Sequence, residues 1–267
     1  MKNKTRYILM AVLMAGFLFG AYRIYATNAA YEADRKVYSG AALEYVAAVP
    51  DIAPETEPEP DEDGREPIYA PLRVDFEKLA EDCPDIQGWI YCEDTNINYP
   101  VMQGTDNDFY LHHTYLGDYA AAGSIFLEAA NSPGFVDSNS IIYGHHMRDK
   151  SMFAGLSDWA FQEYYDAHPV MWLLTPEQDY MVELFSGYVT PAGSDAYAVF
   201  QGPSEWLDDY LDAALASSDF ECSPDFVPEG DARYVLLSTC DYTFQNARYV
   251  LHGKLVPADR LDDASEP

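Results

Sequence analysis

Between Gly88 and Val256 the chain divides into eight short runs of strand-forming residues, and no other feature restricts its fold as much. The runs cover residues 88–91, 97–102, 123–127, 140–143, 169–174, 179–189, 233–239 and 248–256. Clusters of Gly, Pro, Asn and Asp separate them, the turn chemistry expected between strands. The fifth and sixth flank Thr175-Pro176-Glu177-Gln178, a hairpin signal. The last two flank a polar loop, 241–247. If they pair as an antiparallel hairpin, Cys240 and Arg248 bracket that loop on one face. Short helices are predicted over 74–81, with Asp75 as N-cap and Val74, Leu79 and Ala80 available for burial. Others are predicted over 106–111, 151–167 and 204–217. In the last, Trp206, Leu207, Tyr210, Leu211, Ala214 and Leu215 recur at helical spacing. Many short strands with few helices predict a mainly β chain closed, or nearly closed, into a barrel.

The residues ahead of these strands have a different character. Lys2, Lys4 and Arg6 precede an apolar run from Tyr7 to Tyr22, closed by Arg23. Such a run is a secretory signal segment or an uncleaved membrane anchor. Counted on to Ala26 with Arg23 snorkelling, it reaches the ~20 residues that span a bilayer, and we read it as an anchor. Basic residues before a span keep the N-terminus cytoplasmic. Residues 1–26 are then the cytoplasmic tip and anchor of a single-pass cell-membrane protein whose remainder is extracellular. Residues 27–67 follow as stalk and linker. The first part, 28–49, reads as a helix of mixed charge; in 51–67, Pro54, Pro58, Pro60 and Pro67 alternate with acidic residues. That composition buries no core and favours an extended spacer. Residues 68–257 are the expected folded domain, and 258–267 a tail.

A net charge of −30, from 45 acidic and 15 basic residues, argues against a nucleic-acid binder, which needs a basic footprint, and against attraction to anionic lipid. Its simplest role is solubility. Of four cysteines, Cys240 is read as free and reactive, and Cys83, Cys92 and Cys222 as small buried apolar residues. A Cys83–Cys92 bridge stays open in an exported chain. No CxxC or clustered Cys/His spacing suggests a zinc site, and neither metal nor cofactor is expected.

Two segments carry chemistry. Leu237-Ser238-Thr239-Cys240 delivers a thiol to the end of a strand, and Ile141-Ile142-Tyr143-Gly144-His145-His146 does the same for a histidine. Rigid strands position such side chains and the following loops expose them. Singly, Cys240 reads as a buried thiol, His145 as a surface histidine and Arg248 as a solvated strand residue. Together they make a nucleophile, a base and a cation able to hold an oxyanion.

Further segments occur in order: Gly88-Trp89-Ile90, Asn96-Ile97-Asn98-Tyr99-Pro100-Val101, Gln103-Gly104-Thr105-Asp106-Asn107, Tyr110-Leu111, Ala122-Gly123-Ser124-Ile125-Phe126-Leu127, Tyr143-Gly144-His145 and Ser151-Met152-Phe153. With Leu237-Ser238-Thr239-Cys240 they resemble a class B sortase, a cysteine transpeptidase of Gram-positive cell surfaces. The resemblance implies an eight-stranded sortase-type β-barrel with short peripheral helices, one of them (204–217 here) before the cysteine-bearing strand. It implies Cys240 as nucleophile, His145 as general acid/base and Arg248 as the oxyanion and substrate-orienting group. His145 is preferred to His146 because it directly follows Tyr143-Gly144. His146 stands where the family has asparagine and reads as a surface residue or helper. Asn107, Leu111, Tyr143 and Ser238 match positions lining the sorting-signal groove, with Ser194 and Tyr197 as candidates for its opposite wall. Asp241 reads as a loop or substrate-contact residue. The implied reaction cleaves a surface protein's C-terminal sorting signal after Thr through a thioacyl-enzyme. The acyl group then passes to an amine of a peptidoglycan precursor, and the enzyme is expected to be a monomer without cofactor. The alternatives are a pilus-assembling sortase using a pilin lysine, an exported cysteine peptidase, and a non-catalytic surface binding module.

Overall fold

The apolar run and the mixed-charge segment after it form one helix, α1 (Lys2–Tyr45), in the computed structural model, which describes residues 2–49 and 66–260. The apolar part of α1 is exposed, and long enough to cross a membrane. Its final turns pack on the rest of the molecule. Tyr38, Ala41 and Tyr45, three and four residues apart, are buried on one face. The chain then extends into β1 (Val46–Ala48), which pairs antiparallel with β2 (Leu72–Val74). Most of the acidic, Pro-rich linker (51–65) and the tail from 261 lie outside the described residues.

Asp75 caps α2 (Phe76–Asp82) as the sequence suggests, accepting from the Lys78 N–H at 3.0 Å. Leu79 is buried beneath it, but Ala80 is exposed and Val74 belongs to β2. Each of the eight predicted runs then holds one strand. These are β3 (Ile86–Tyr91), β4 (Asn98–Met102), β5 (Ile125–Leu127), β6 (Asn139–Tyr143), β7 (Val170–Leu174), β8 (Asp179–Pro191), β9 (Arg233–Cys240) and β10 (Ala247–Ala258). They close into a barrel in the order β10-β8-β7-β3-β4-β5-β6-β9. All neighbours are antiparallel except β4–β5 and β6–β9, which are parallel. The β7–β8 hairpin is pinned at its turn, where Thr175 Oγ1 accepts from the Gln178 N–H (3.0 Å) and donates to the Gln178 carbonyl (2.7 Å).

Strand β9 shows why the barrel is apolar on both faces. Val235 and Leu237 point into the main core, while Tyr234 and Leu236 point out beneath covering segments. One cover is α4 (Glu205–Ser217), preceded in the chain by the short α3 (Gln162–Ala167). Leu207, Leu211 and Ala214 of α4 are buried against Phe185 and Tyr234, whereas Trp206 is exposed. Burying each leucine contributes ~1.5–3 kcal/mol.

Two predicted helices differ. Residues 106–111 form turns, because Asp106 Oδ1 accepts from the N–H groups of Asp108 and Phe109, both at 2.9 Å. Such local bonds compete with helix. Residues 151–167 split into a 3-10 helix (Ala154–Ala160) and α3, parted at Phe161, whose backbone is extended (φ −107°, ψ 127°). All four cysteines are free, and Cys222 is only half-buried. No Cys83–Cys92 bridge forms: the thiols donate to separate carbonyls, of Leu79 (3.1 Å) and Val170 (3.6 Å). Burial pushes Cys83 up to about 11 and Cys92 up to about 12, so both stay protonated near neutral pH.

Candidate active site

The parallel pairing of β6 with β9 brings the chemistry together. Parallel neighbours end at the same side of a sheet, and here Tyr143 lies opposite Ser238 at the two C-terminal ends. The Gly144 N–H continues the ladder to the Ser238 carbonyl at 3.1 Å. Two residues beyond the matched pair, the strands deliver His145 and Cys240. Gly144 must be glycine: a β-carbon there would lie 2.5 Å from Ile125 Cδ1 and 2.7 Å from the Phe153 ring. On the other side of β9, Arg248 of β10 lies directly opposite Cys240, as the hairpin reading requires. Cys240, His145 and Arg248 are all half-buried, neither sealed in the core nor fully in water.

His145 Nε2 donates to the Leu111 carbonyl at 2.7 Å. A carbonyl only accepts, so Nε2 carries the hydrogen and Nδ1 is left to exchange a proton. His146 is also engaged. Its Nδ1 donates to the Cys240 carbonyl at 2.8 Å, and its ring sits edge-on to Tyr242 at 5.2 Å. It is half-buried against the Cys240 backbone.

A run of contacts leads away from this centre. Tyr197 and Ser238 share a hydrogen bond between hydroxyls at 2.8 Å. The Tyr197 ring stacks on Tyr143, with centroids 6.2 Å apart and planes at 13°. The Tyr143 hydroxyl donates to Glu128 at 2.8 Å, and Asn107 Nδ2 reaches both Glu128 oxygens at 2.7 and 2.8 Å. Asn107 Oδ1 in turn accepts from the Ala129 N–H at 2.8 Å. Three of the four groove candidates, Asn107, Tyr143 and Ser238, thus belong to one connected wall. Leu111, the fourth, meets the site through its carbonyl, while its side chain packs on the main core. Ser194 accepts from Thr190 at 2.9 Å, and Thr190 is the cross-strand partner of Arg248.

Burial, and then the Glu128 carboxylate, push the Tyr143 phenol well above its ordinary range. Burial also raises Tyr197; in both cases the Arg248 guanidinium opposes the shift. Asp241 turns into its own loop, accepting from the Thr243 N–H at 2.8 Å and from the Thr243 hydroxyl.

Glu128, bonded to both Asn107 and Tyr143, was missed by sequence reading. Its signal was a carboxylate immediately after a predicted strand, the same placement that marked Cys240. Among the described residues no group of three or more His, Cys, Asp or Glu side chains is arranged to hold a metal ion. A cleft of about 1070 Å³ opens at the opposite end of the barrel, between Glu177, Arg233 and Lys254. Its lining includes no cysteine or histidine, so chemistry rather than volume locates the site.

The sortase domain family matches residues 90–256. Sortase B of Listeria monocytogenes is 39% identical over 186 residues, 68% of this chain and 73% of the relative. The chain belongs to the class B sortases. Sortase B of Staphylococcus aureus is 30% identical over 191 residues, 69% of this chain and 76% of the relative. Among solved structures, the S. aureus sortase B–substrate complex superposes with a TM-score of 0.64 at 29% identity, covering 69% of this chain and 85% of that one. Bacillus anthracis sortase B does so with a TM-score of 0.69 at 31% identity, covering 85% and 98%. This class B sortase is a cysteine transpeptidase acting on a C-terminal sorting signal.

Proposed function

We propose that Cys240, His145 and Arg248 perform this transpeptidation, with the acyl group passing to an amine of a peptidoglycan precursor. The Cys240 thiolate attacks the Thr carbonyl of the sorting signal. Arg248 and backbone N–H groups hold the oxyanion as it develops. His145 gives the leaving amine its proton as the C–N bond breaks, and a thioester to Cys240 remains. The acceptor amine then attacks the thioester carbonyl. Its proton passes to His145, the C–S bond breaks, and the thiolate is restored. Asn107, Leu111, Tyr143 and Ser238 belong to the binding groove for the signal, with Tyr197 stacked beside them. The domain boundaries are anchor to residue 26, stalk and linker 27–67, with the end of the stalk packed on the domain, and catalytic domain 68–257. Lys2, Lys4 and Arg6 favour a cytoplasmic N-terminus, so the barrel faces the cell wall.

The observation that carries this reading is the double pairing of β9. Its parallel edge ends with Tyr143 opposite Ser238, each two residues short of His145 and Cys240, and its antiparallel edge pairs Cys240 with Arg248. One experiment tests it. The full chain in detergent micelles is screened against a pentapeptide sorting-signal library, and the best peptide is incubated with and without added amines. A ligated product and a Cys240-linked intermediate, both lost in Cys240→Ala, are expected. Hydrolysis alone across many amines would favour a peptidase, and no adduct at all would favour a binding module. The two histidines are separated in the same assay. His145→Ala loses turnover by ~10²–10⁴-fold while His146→Ala loses little. The opposite result would make His146, which touches the Cys240 carbonyl, the proton carrier.

A further inference from the structure

We propose that the membrane-proximal half of α1 is a positioning element of the active site, gripping the two loops between which His145 is held. This deepens the assignment of His145 as proton carrier and rests on it. A simple tether would keep its polar groups in water. Here Tyr38 and Tyr45 are each only 4% exposed and Ala41 only 1%. Two separate sets of contacts run from this buried face to His145.

The first set passes through Gly123. The Tyr38 hydroxyl donates to the Gly123 carbonyl and lies 3.2 Å from Ser124 Oγ. The Ala122 N–H donates to Asp34 Oδ2 at 3.3 Å. Gly123 has φ +56° and approaches Leu111 so closely that a β-carbon would lie 2.5 Å from the Leu111 carbonyl oxygen. Ser124 fastens the same crossing, donating from its N–H to the Tyr110 carbonyl and from its hydroxyl to the His113 carbonyl, both at 2.8 Å. The Leu111 carbonyl is the acceptor that fixes His145 Nε2 at 2.7 Å. Helix, glycine crossing, carbonyl and imidazole form one contiguous stack.

The second set holds the far side of the histidine loop. Arg35 pairs with Asp149 at 3.3 Å. Tyr38 packs edge-on against Tyr99 at 5.5 Å, and the Tyr99 hydroxyl accepts from the Met152 N–H at 3.0 Å. The next residue, Phe153, donates its N–H to the His145 carbonyl at 3.0 Å. Lys150 and Met152 have φ +68° and +56°. Such left-handed residues persist only where surrounding contacts hold them. Asn96 Nδ2 supplies two such contacts, to the Lys150 (2.6 Å) and Met152 (3.4 Å) carbonyls, and α1 adds the Arg35–Asp149 pair beside them.

None of the contacts that assemble the groove wall, Asn107–Glu128–Tyr143–Tyr197–Ser238, involves α1. Leu111, the one proposed groove residue on the α1 path, is tied in through its main-chain carbonyl, so loosening α1 is expected to slow proton transfer and leave peptide binding largely unchanged. The test uses the full chain in detergent micelles with the library-selected peptide. Tyr38→Phe removes one hydroxyl and keeps the ring, Arg35→Ala removes the ion pair, and thermal midpoints confirm folding. We expect Tyr38→Phe to lower kcat by ~10-fold, since small misplacements of catalytic groups are costly, with KM unchanged and the pH–kcat profile displaced. The double variant falls further. Wild-type kcat and pH profile in both single variants, with His145→Ala inactive, overturn the positioning role alone. An active His145→Ala overturns the assignment of His145 and this inference with it.

Discussion

In the oxyanion-holding role proposed for Arg248, a lysine cannot substitute for it. One of its guanidinium nitrogens donates to the Ala247 carbonyl at 2.9 Å, leaving further N–H groups for a substrate beside Cys240. A lysine presents a single ammonium and no fork. Arg248→Lys should lower kcat by ~10²–10³-fold in steady-state peptide turnover, the usual scale for losing an oxyanion donor. Gly144 is equally demanding for a steric reason. In Gly144→Ala the new methyl group meets Ile125 and Phe153, and the backbone carrying His145 must shift. Turnover should fall by ~10²-fold while Cys240 still reacts with an alkylating reagent, which separates a displaced base from a lost fold. The placement of His145, Cys240 and Arg248 could be read from sequence because each lies at or just beyond the end of a visible strand run. Glu128 could not. Its partners Asn107 and Tyr143 are 21 and 15 residues away. The register of β5 on β6, Phe126 against Tyr143, brings Glu128 to Tyr143, and the loop after β4 brings Asn107 to it.

Strands were legible because their turn residues and β-branched runs act locally, whereas the misread helices depended on a single competing bond or break. Asp106 closes a turn with its own carboxylate, and Phe161 extends the backbone between two half-length helices. The helix α4 was legible for the opposite reason: its cap and its apolar stripe agree. Leu211 is fully buried beneath Phe185 and Tyr234. Leu211→Ala should cost ~2–5 kcal/mol in denaturant unfolding, transfer and cavity costs together. Ser204 accepts from the Leu207 N–H at 3.3 Å, and Ser204→Ala should cost ~1 kcal/mol in the same measurement. On α1, the stripe Tyr38, Ala41 and Tyr45 has the spacing of a buried face. Mixed charge around it gives the same segment the composition of a spacer.

The whole molecule carries a pH liability inside its wall. His252 of β10 is fully buried, stacked on Tyr188 at 5.5 Å, with Phe185 and Tyr210 completing its enclosure. The Tyr210 hydroxyl lies 3.4 Å from its Nδ1, and burial pushes its pKa down to about 3 from an ordinary 6.5. The unfolded chain takes up this proton below about 6.5, and the folded chain resists until about 3. Stability from this residue is therefore complete above 6.5 and declines as pH falls through that window. His252→Phe, which suits the aromatic enclosure, should flatten the decline in urea midpoints between pH 6.5 and 4 relative to the parent chain.

Because α1 runs unbroken from its apolar half to Tyr45, helix geometry sets the compass bearing of the catalytic barrel. Each residue added between the two halves raises the barrel by ~1.5 Å and swings it by ~100° about the membrane normal for an upright helix. Two added residues would turn the groove nearly to face the other way; four would restore its azimuth to within ~40°, at an altitude ~6 Å higher. The address at which a surface protein meets this enzyme is written in a count of helical turns.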